Sequence, residues 1–253
     1  MEQEFAGRVA LVTGAAGHGI GQGIARRLAA GGATVIVTDS HERRTKEVAD
    51  AMASEYDAPV AGYPMDVTDR ARIAEVVAEV GAKYGPIQIL VNNAAWNVLG
   101  DIFEYRFEDW DRVIDVDLTG PFNTTRLILP GMRDAGGGAI VNISSIGADL
   151  AAGSGETPYA VAKGGLNTMT RQIARTGGPF GIRCNAVALG LVTKTRFTDI
   201  RPHLIEQVLP DIPLGRAGTS DDVVEAAIFL ASERASFITG EILNVSGGFY
   251  MRN

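Results

Sequence analysis

Val9-Ala-Leu-Val-Thr13-Gly14-Ala15-Ala16-Gly17-His18-Gly19-Ile20-Gly21 runs straight into Gln22-Gly-Ile-Ala-Arg-Arg-Leu-Ala-Ala30. An apolar run, a cluster of glycines and a stretch from Gly19 to Ala30 with helical spacing read as strand, tight turn and helix. Glycines at such a turn let the backbone approach a pyrophosphate, whose charge the helix N-terminus favours. Tight turns that bind nothing have the same look, so the next segment decides. A second apolar run, Thr34–Val37, leads to Asp39, 25 residues after Gly14. A carboxylate there can accept hydrogen bonds from an adenosine ribose, or simply cap the helix that follows. Strand, glycines, helix, strand and acid in this order predict a dinucleotide site built on Gly14, His18, Gly19, Ile20 and Asp39. Asp39 also predicts NAD rather than NADP, whose extra phosphate would meet the carboxylate.

Outward from this unit, apolar runs recur at Ile87–Val91, Ala139–Ile143 and Ile182–Val187, with helical spacing between them, as at Arg70–Tyr84. Strands alternating with helices imply right-handed βαβ units and a parallel sheet covered on both faces. A late helix starts at Thr219 or Ser220, with Asp221 and Asp222 in its first turn and Val223, Ala227 and Leu230 on one face. The glycines at 136–138 read as a turn before a strand, and no linker divides residues 1–253, so one α/β domain of doubly wound type is expected.

Composition narrows the function. The 253 residues carry 23 basic and 30 acidic side chains, a formal charge of -7, with no basic stripe for a nucleic-acid backbone. One cysteine, Cys184, allows no internal disulfide, and His18, His41 and His203 are too scattered for a metal site. No apolar run approaches the ~18 residues of a membrane span, and MEQEF lacks the basic, then apolar, pattern of a signal peptide. A cytoplasmic protein with no membrane, metal or nucleic-acid partner is expected.

Tyr159-Ala-Val-Ala-Lys163 opens a helix, and residues four apart share a face. A free phenol titrates near 10, too high for a base at neutral pH, and a neighbouring cation lowers it. A half-buried tyrosine and a solvated lysine would give the same spacing. Ser144 and Ser145, ending an apolar strand 14 residues before the tyrosine, favour the catalytic reading, because open α/β sheets bind ligands at the C-terminal ends of their strands.

With these residues in place the chain resembles the short-chain dehydrogenase/reductase family over nearly its whole length. The glycine turn, Asp66-Val67, Asn92-Asn93-Ala94-Ala95, Ser145, Tyr159 and Lys163 follow the family pattern, as do Pro213-Leu-Gly-Arg216, Phe229-Leu-Ala-Ser232, Ile238-Thr-Gly240 and Val245-Ser-Gly-Gly248. The resemblance implies a seven-stranded Rossmann-like fold and nicotinamide-dependent interconversion of alcohol and ketone. It makes Tyr159 the general acid/base. Lys163 lowers the phenol's pKa and holds the nicotinamide ribose, and Ser145 donates to the substrate oxygen. Asp66 and Val67 fall at the adenine, Asn93 and Ala94 in the cofactor groove, and Gly190 and Val192 at the nicotinamide. A homotetramer formed partly by helices around 107–133 and 159–176, and a substrate lid at about 191–213, are further implications.

Four departures stand out. The turn has four residues, Ala15 to His18, where the family has three. Leu189-Gly190 replaces the family's Pro-Gly, which should loosen the chain there because leucine lacks proline's fixed φ. Lys194 stands where a threonine is usual. Asp117 replaces the family's relay asparagine and is expected to act through its main chain. Pro121, four residues on, removes the N–H that would bond the carbonyl of residue 117, so a kink is expected. Trp96 is read as a pocket wall, Cys184 as core filler, and Arg43 and Arg44 as a solvated helix face. Lys194, Arg196, Arg201 and His203 are a solvated cluster that could also draw in an anionic substrate. The expectation is an NAD-dependent oxidoreductase of a small secondary alcohol or ketone. A 3-oxoacyl-thioester reductase is the alternative within that chemistry, and a non-catalytic nicotinamide-binding sensor the alternative outside it.

Overall fold

Seven parallel strands form one sheet in the order β3-β2-β1-β4-β5-β6-β7 in the computed structural model, which describes residues 3–150, 155–193, 195–199 and 203–251. The strands are β1 (Val9–Thr13), β2 (Thr34–Asp39), β3 (Val60–Pro64), β4 (Ile87–Asn92), β5 (Gly138–Ser145), β6 (Ile182–Leu189) and β7 (Ile242–Val245). The expected α/β doubly wound architecture is therefore present. Two strands lack a clear apolar run, and both lie at sheet edges: β3 contains Gly62 and Pro64 and is half-exposed throughout, and β7 has only four residues.

Side chains of period two feed two cores. Ala10 and Val12 of β1 and Val35 and Val37 of β2 face α1 (Ile20–Ala30) and α9 (Ser220–Ala231), through Ile24, Leu28, Val223 and Ala227. Val9, Leu11 and Ile36 face the opposite way, toward Ile73, Val76 and Val80 of α3 (Arg70–Tyr84). The other helices are α2 (Glu42–Glu55), α4 (Phe107–Ile114), α5 (Gly120–Asp134), α6 (Thr157–Gly177) and the short α7 (Arg196–Asp199) and α8 (His203–Val208). Thr219 and Asp222 start α9 with a reciprocal capping box. In the segment expected to form a lid, Lys194, Arg201 and the side chain of Arg196 lie outside the described residues, and His203 is exposed at the head of α8.

Two local expectations are corrected. The interruption before Pro121 is a π turn, Asp115–Thr119, joining α4 to α5, in which the N–H of Gly120 reaches back five residues to the carbonyl of Asp115. A Cβ on Gly120 would lie 2.5 Å from Val67 Cγ2, so any larger residue would have to displace that side chain. Leu189 does not loosen the chain: it remains in register with Ser145 and Val245, and the N–H of Gly190 continues the ladder to the carbonyl of Val245 at 3.0 Å.

Candidate active site

The strand order reverses between β1 and β4, which opens a crevice at their C-terminal ends. The glycine turn is built to meet β4 there. Gly14 has φ +63°, and a Cβ on it would lie 2.8 Å from the Cα of Ala94. Asn93 Nδ2 donates to the carbonyls of Thr13 and Gly14, both at 3.0 Å, and the Thr13 hydroxyl accepts the N–H groups of Asn93 and Ala94. Asn93 thus stitches the turn in place. Thr13, absent from the predicted site, supplies the other half of the clamp; its signal was its position as the polar end of an apolar strand.

The extra residue of the turn is absorbed at its tip. Ala15 donates to the carbonyl of Thr38 at 3.0 Å and Ala16 to Asp39 Oδ2 at 3.4 Å, and both alanines are buried. Beyond them His18 is exposed, and a Cβ on Gly17 would meet nothing within 4 Å. Gly19 is the N-cap of α1, whose first turn has no side-chain cap and no acid. Open space at Gly17 beside these N–H groups fits a pyrophosphate. Asp39 stands next to the turn, its other oxygen accepting the N–H of His41 at 3.0 Å.

Asp66 accepts from the N–H and hydroxyl of Thr68, at 2.9 and 2.8 Å, and pairs with Arg112 at 3.5 Å. Burial opposes ionisation, but these bonds outweigh it and hold the carboxyl below the usual range. Val67 is buried and receives Asn123 Nδ2 on its carbonyl. Across the crevice Gly190 packs closely on Ser246, and Val192 is buried and bridged to Gly218.

Ser145, Tyr159, Lys163 and Asp117 come together at the end of β5. Ser145 Oγ accepts the N–H of Gly147 at 3.1 Å, which leaves its own proton to donate. The preceding Ser144 donates to Asn167 of α6 at 2.7 Å and fixes strand to helix. Lys163 is 2% exposed; its ammonium donates to the carbonyl of Ile143 at 3.0 Å and lies 5.2 Å from the centroid of the Tyr159 ring. Asp117, fully buried, places Oδ1 3.1 Å from that ammonium and accepts the N–H of Trp96 on Oδ2 at 2.7 Å. The side chain of residue 117, not only its main chain, therefore contacts Lys163. The expected lowering of the phenol is also corrected: burial, then the carboxylates of Asp117 and Glu156, push Tyr159 above its ordinary value, and the Ser145 hydroxyl only partly offsets them. Burial likewise raises Asp117, against the pull of Lys163 and the Trp96 N–H.

Two further polar residues border the site. Asn97 Nδ2 donates to Glu156 Oε1 at 2.9 Å, and Asn97 Oδ1 is buried without a hydrogen-bond partner. Sequence spacing marked neither, because their meeting depends on how the loop after β4 folds over the entry to α6. Gly100, whose N–H bonds the carbonyl of Gly155 at 2.9 Å, fixes that closure. Trp96 is 40% exposed beside them. Cys184 is buried and pushed up to about 12 by that burial. Arg43 lies on exposed α2 and pairs with Glu47. Among the described residues no cluster of His, Cys, Asp or Glu is set to hold a metal, and no helix is long and apolar enough to cross a membrane.

A cradle for a dinucleotide beside a serine, tyrosine and lysine defines a nicotinamide-dependent oxidoreductase. A family model described as enoyl-(acyl carrier protein) reductase matches residues 14–250. A 3-oxoacyl-(acyl carrier protein) reductase from Thermotoga maritima is 40% identical over 246 residues, covering 96% of this chain and 97% of that protein. The (5R,7aS)-5-hydroxy-7a-methyl-1-oxo-2,3,5,6,7,7a-hexahydro-1H-indene-carboxyl-CoA reductase of Mycobacterium tuberculosis is 36% identical, covering 95% and 92%. Among solved structures, a gluconate 5-dehydrogenase from Burkholderia cenocepacia, in complex with NADP and tartrate, superposes with a TM-score of 0.91 at 32% identity, covering 98% and 97%. The chain belongs to the short-chain dehydrogenase/reductase family.

Proposed function

We propose that the protein reduces the ketone of a 3-oxoacyl thioester to the alcohol, with NADH as the reductant and Tyr159 as the proton donor. The oxidoreductase class is given by the family; the arrangement of Ser145, Tyr159 and Lys163 at the mouth of the dinucleotide crevice carries the mechanism. A nicotinamide held there would supply the hydride for the carbonyl carbon. The phenol of Tyr159 gives its proton to the carbonyl oxygen, and the O–H of Ser145 donates to the same atom as charge develops. Lys163 donates to Ile143 and pairs with Asp117, and it would hold the nicotinamide ribose. Gly14, Gly19, Ile20 and His18 would hold the pyrophosphate, Asp39 the adenosine ribose, Asp66 and Val67 the adenine, and Asn93, Ala94, Gly190 and Val192 the nicotinamide side.

The substrate class moves the thioester alternative ahead of a simple secondary alcohol. Two full-length relatives are named for acyl carrier protein and CoA substrates. A polyhydroxy acid is the second reading, favoured by Asn97 Oδ1, a buried acceptor without a partner that a substrate hydroxyl would satisfy. NADH is preferred on the strength of Asp39, although one structural neighbour carries NADP. A panel of acetoacetyl-CoA, 5-ketogluconate and simple ketones, each with NADH and NADPH, tests the proposal. It predicts the highest kcat/KM for acetoacetyl-CoA with NADH; preference for the keto acid would establish the second reading instead.

A further inference from the structure

On the reading that Ser145 donates to the substrate oxygen, we propose that the C-terminal turn of residues 246–250 sets the direction of that donor. Ser246 and Tyr250 are then positioning residues, acting through the loop that follows Ser145.

Ser145 is the last residue of β5, so its side chain is aimed by what comes next. Its Oγ accepts the N–H of Gly147 within the single 3₁₀ turn Ile146–Ala148. The carbonyl of Ile146 accepts the N–H groups of Asp149 and Leu150, at 3.0 and 2.9 Å. These bonds shape the loop, and the side chain of Ile146, 7% exposed, seats it on the sheet. Residues of one face alternate along a strand, and β6 offers that face only the methyl groups of Ala186 and Ala188. The remaining bulk comes from Ile242 of β7 and from the rings of Phe249 and Tyr250, which pack against the same small core. The backing of the serine loop is therefore supplied from the far end of the chain.

The turn that carries these rings is itself tied down. Ser246 Oγ accepts the N–H of Tyr250 and donates to its carbonyl, both at 3.2 Å, and Asn244 Nδ2 donates to the same carbonyl. The N–H of Phe249 closes onto the carbonyl of Ser246 at 3.2 Å. On its other side the turn abuts the chain returning from beyond β6. A Cβ on Gly247 would lie 2.8 Å from Ile212 Cγ2, and one on Gly248 2.9 Å from Pro213 Cγ. Leu214 donates its N–H to the carbonyl of Gly247 at 3.1 Å. Ser246 also backs Gly190, where an added Cβ would lie 2.8 Å from Ser246 Cβ. One turn thus joins Gly190, residues 212–214 and the core beneath the serine loop. A reacting group displaced by about 1 Å can lose about a hundredfold in rate, so the seating of this loop bears directly on turnover.

The test is a double-mutant cycle in kcat, run with NADH on the ketone that the substrate panel ranks first, so that it does not depend on the thioester. Tyr250→Ala should lower kcat by about tenfold or more. NADH binding by fluorescence should stay within about threefold of wild type, because the bond from Gly190 to Val245 is kept. Tyr250→Phe retains the ring and should keep kcat within about twofold of wild type. In a Ser145→Ala background the donor is gone, so adding Tyr250→Ala should cost less than about twofold more. If Tyr250→Ala does not fold, Ser246→Ala, which frees only the main chain of Tyr250, takes its place in the cycle. Losses that multiply in the double variant, or wild-type kcat in the single one, overturn the inference. Wild-type kcat in Ser145→Ala would refute the assignment of Ser145, and the inference with it.

Discussion

Asp39 ends β2 with both carboxylate oxygens engaged by main-chain N–H groups, one from the glycine turn and one from the next helix. On the proposed assignment of Asp39 to the adenosine ribose, a 2′-phosphate would meet this carboxylate. Two like charges about 4 Å apart repel by about 1 kcal/mol in water and about 4 kcal/mol near a protein surface, a factor of roughly five to several hundred in kcat/KM. NADH should therefore outperform NADPH, and Asp39→Ser should raise kcat/KM for NADPH by about tenfold; steady-state kinetics with both cofactors checks this. Single residues of this kind were legible in the sequence where a motif fixes their place. Asp117 was visible as a departure from the family pattern, but its contact with Lys163 joins a π turn to another helix, and no local spacing encodes it. Glu156 and Asn97 were invisible for the same reason.

The glycine turn and the start of α9 show what whole elements contribute. A Cβ at Gly14 would press on the backbone of Ala94, and φ +63° disfavours any side chain. Gly14→Ala should cost about 1–3 kcal/mol of local strain and weaken NADH binding about tenfold or more by fluorescence titration. At α9, Thr219→Ala removes the N-cap and should lower unfolding stability by about 1 kcal/mol in urea. Asp222 closes that capping box and bonds Arg216 with both oxygens. The Arg216 guanidinium, then the Thr219 N–H, hold its carboxyl far below the usual range. A depressed folded-state pKa gives stability that is present above the ordinary carboxylate pKa and lost as pH falls through the folded value. Asp222→Asn should accordingly flatten the acid limb of a melting-temperature profile. The central strands and long helices were readable because full burial leaves unbroken apolar runs and clear helical periods. The edge strands were not, since half-exposure and the Gly62 and Pro64 of β3 erase both signals.

The sheet gathers these parts at one rim: cradle, catalytic groups and mouth loop all leave the C-terminal ends of β1, β4, β5 and β6. Outside that rim, Phe103, Phe107, Phe122 and Val161 stand 48–93% exposed around α4, α5 and α6. These are the groups that the homotetramer implied by the family resemblance would cover. Sedimentation equilibrium should give an oligomer, and Phe107→Glu should shift it toward smaller species. The account as a whole rests on the intact enzyme transferring a proton through Tyr159, and one measurement addresses that directly. NADH consumption with acetoacetyl-CoA should fall at least about a hundredfold in kcat in Tyr159→Phe, while NADH binding by fluorescence stays within about threefold of wild type. Turnover by the phenylalanine variant near the wild-type rate would contradict the account.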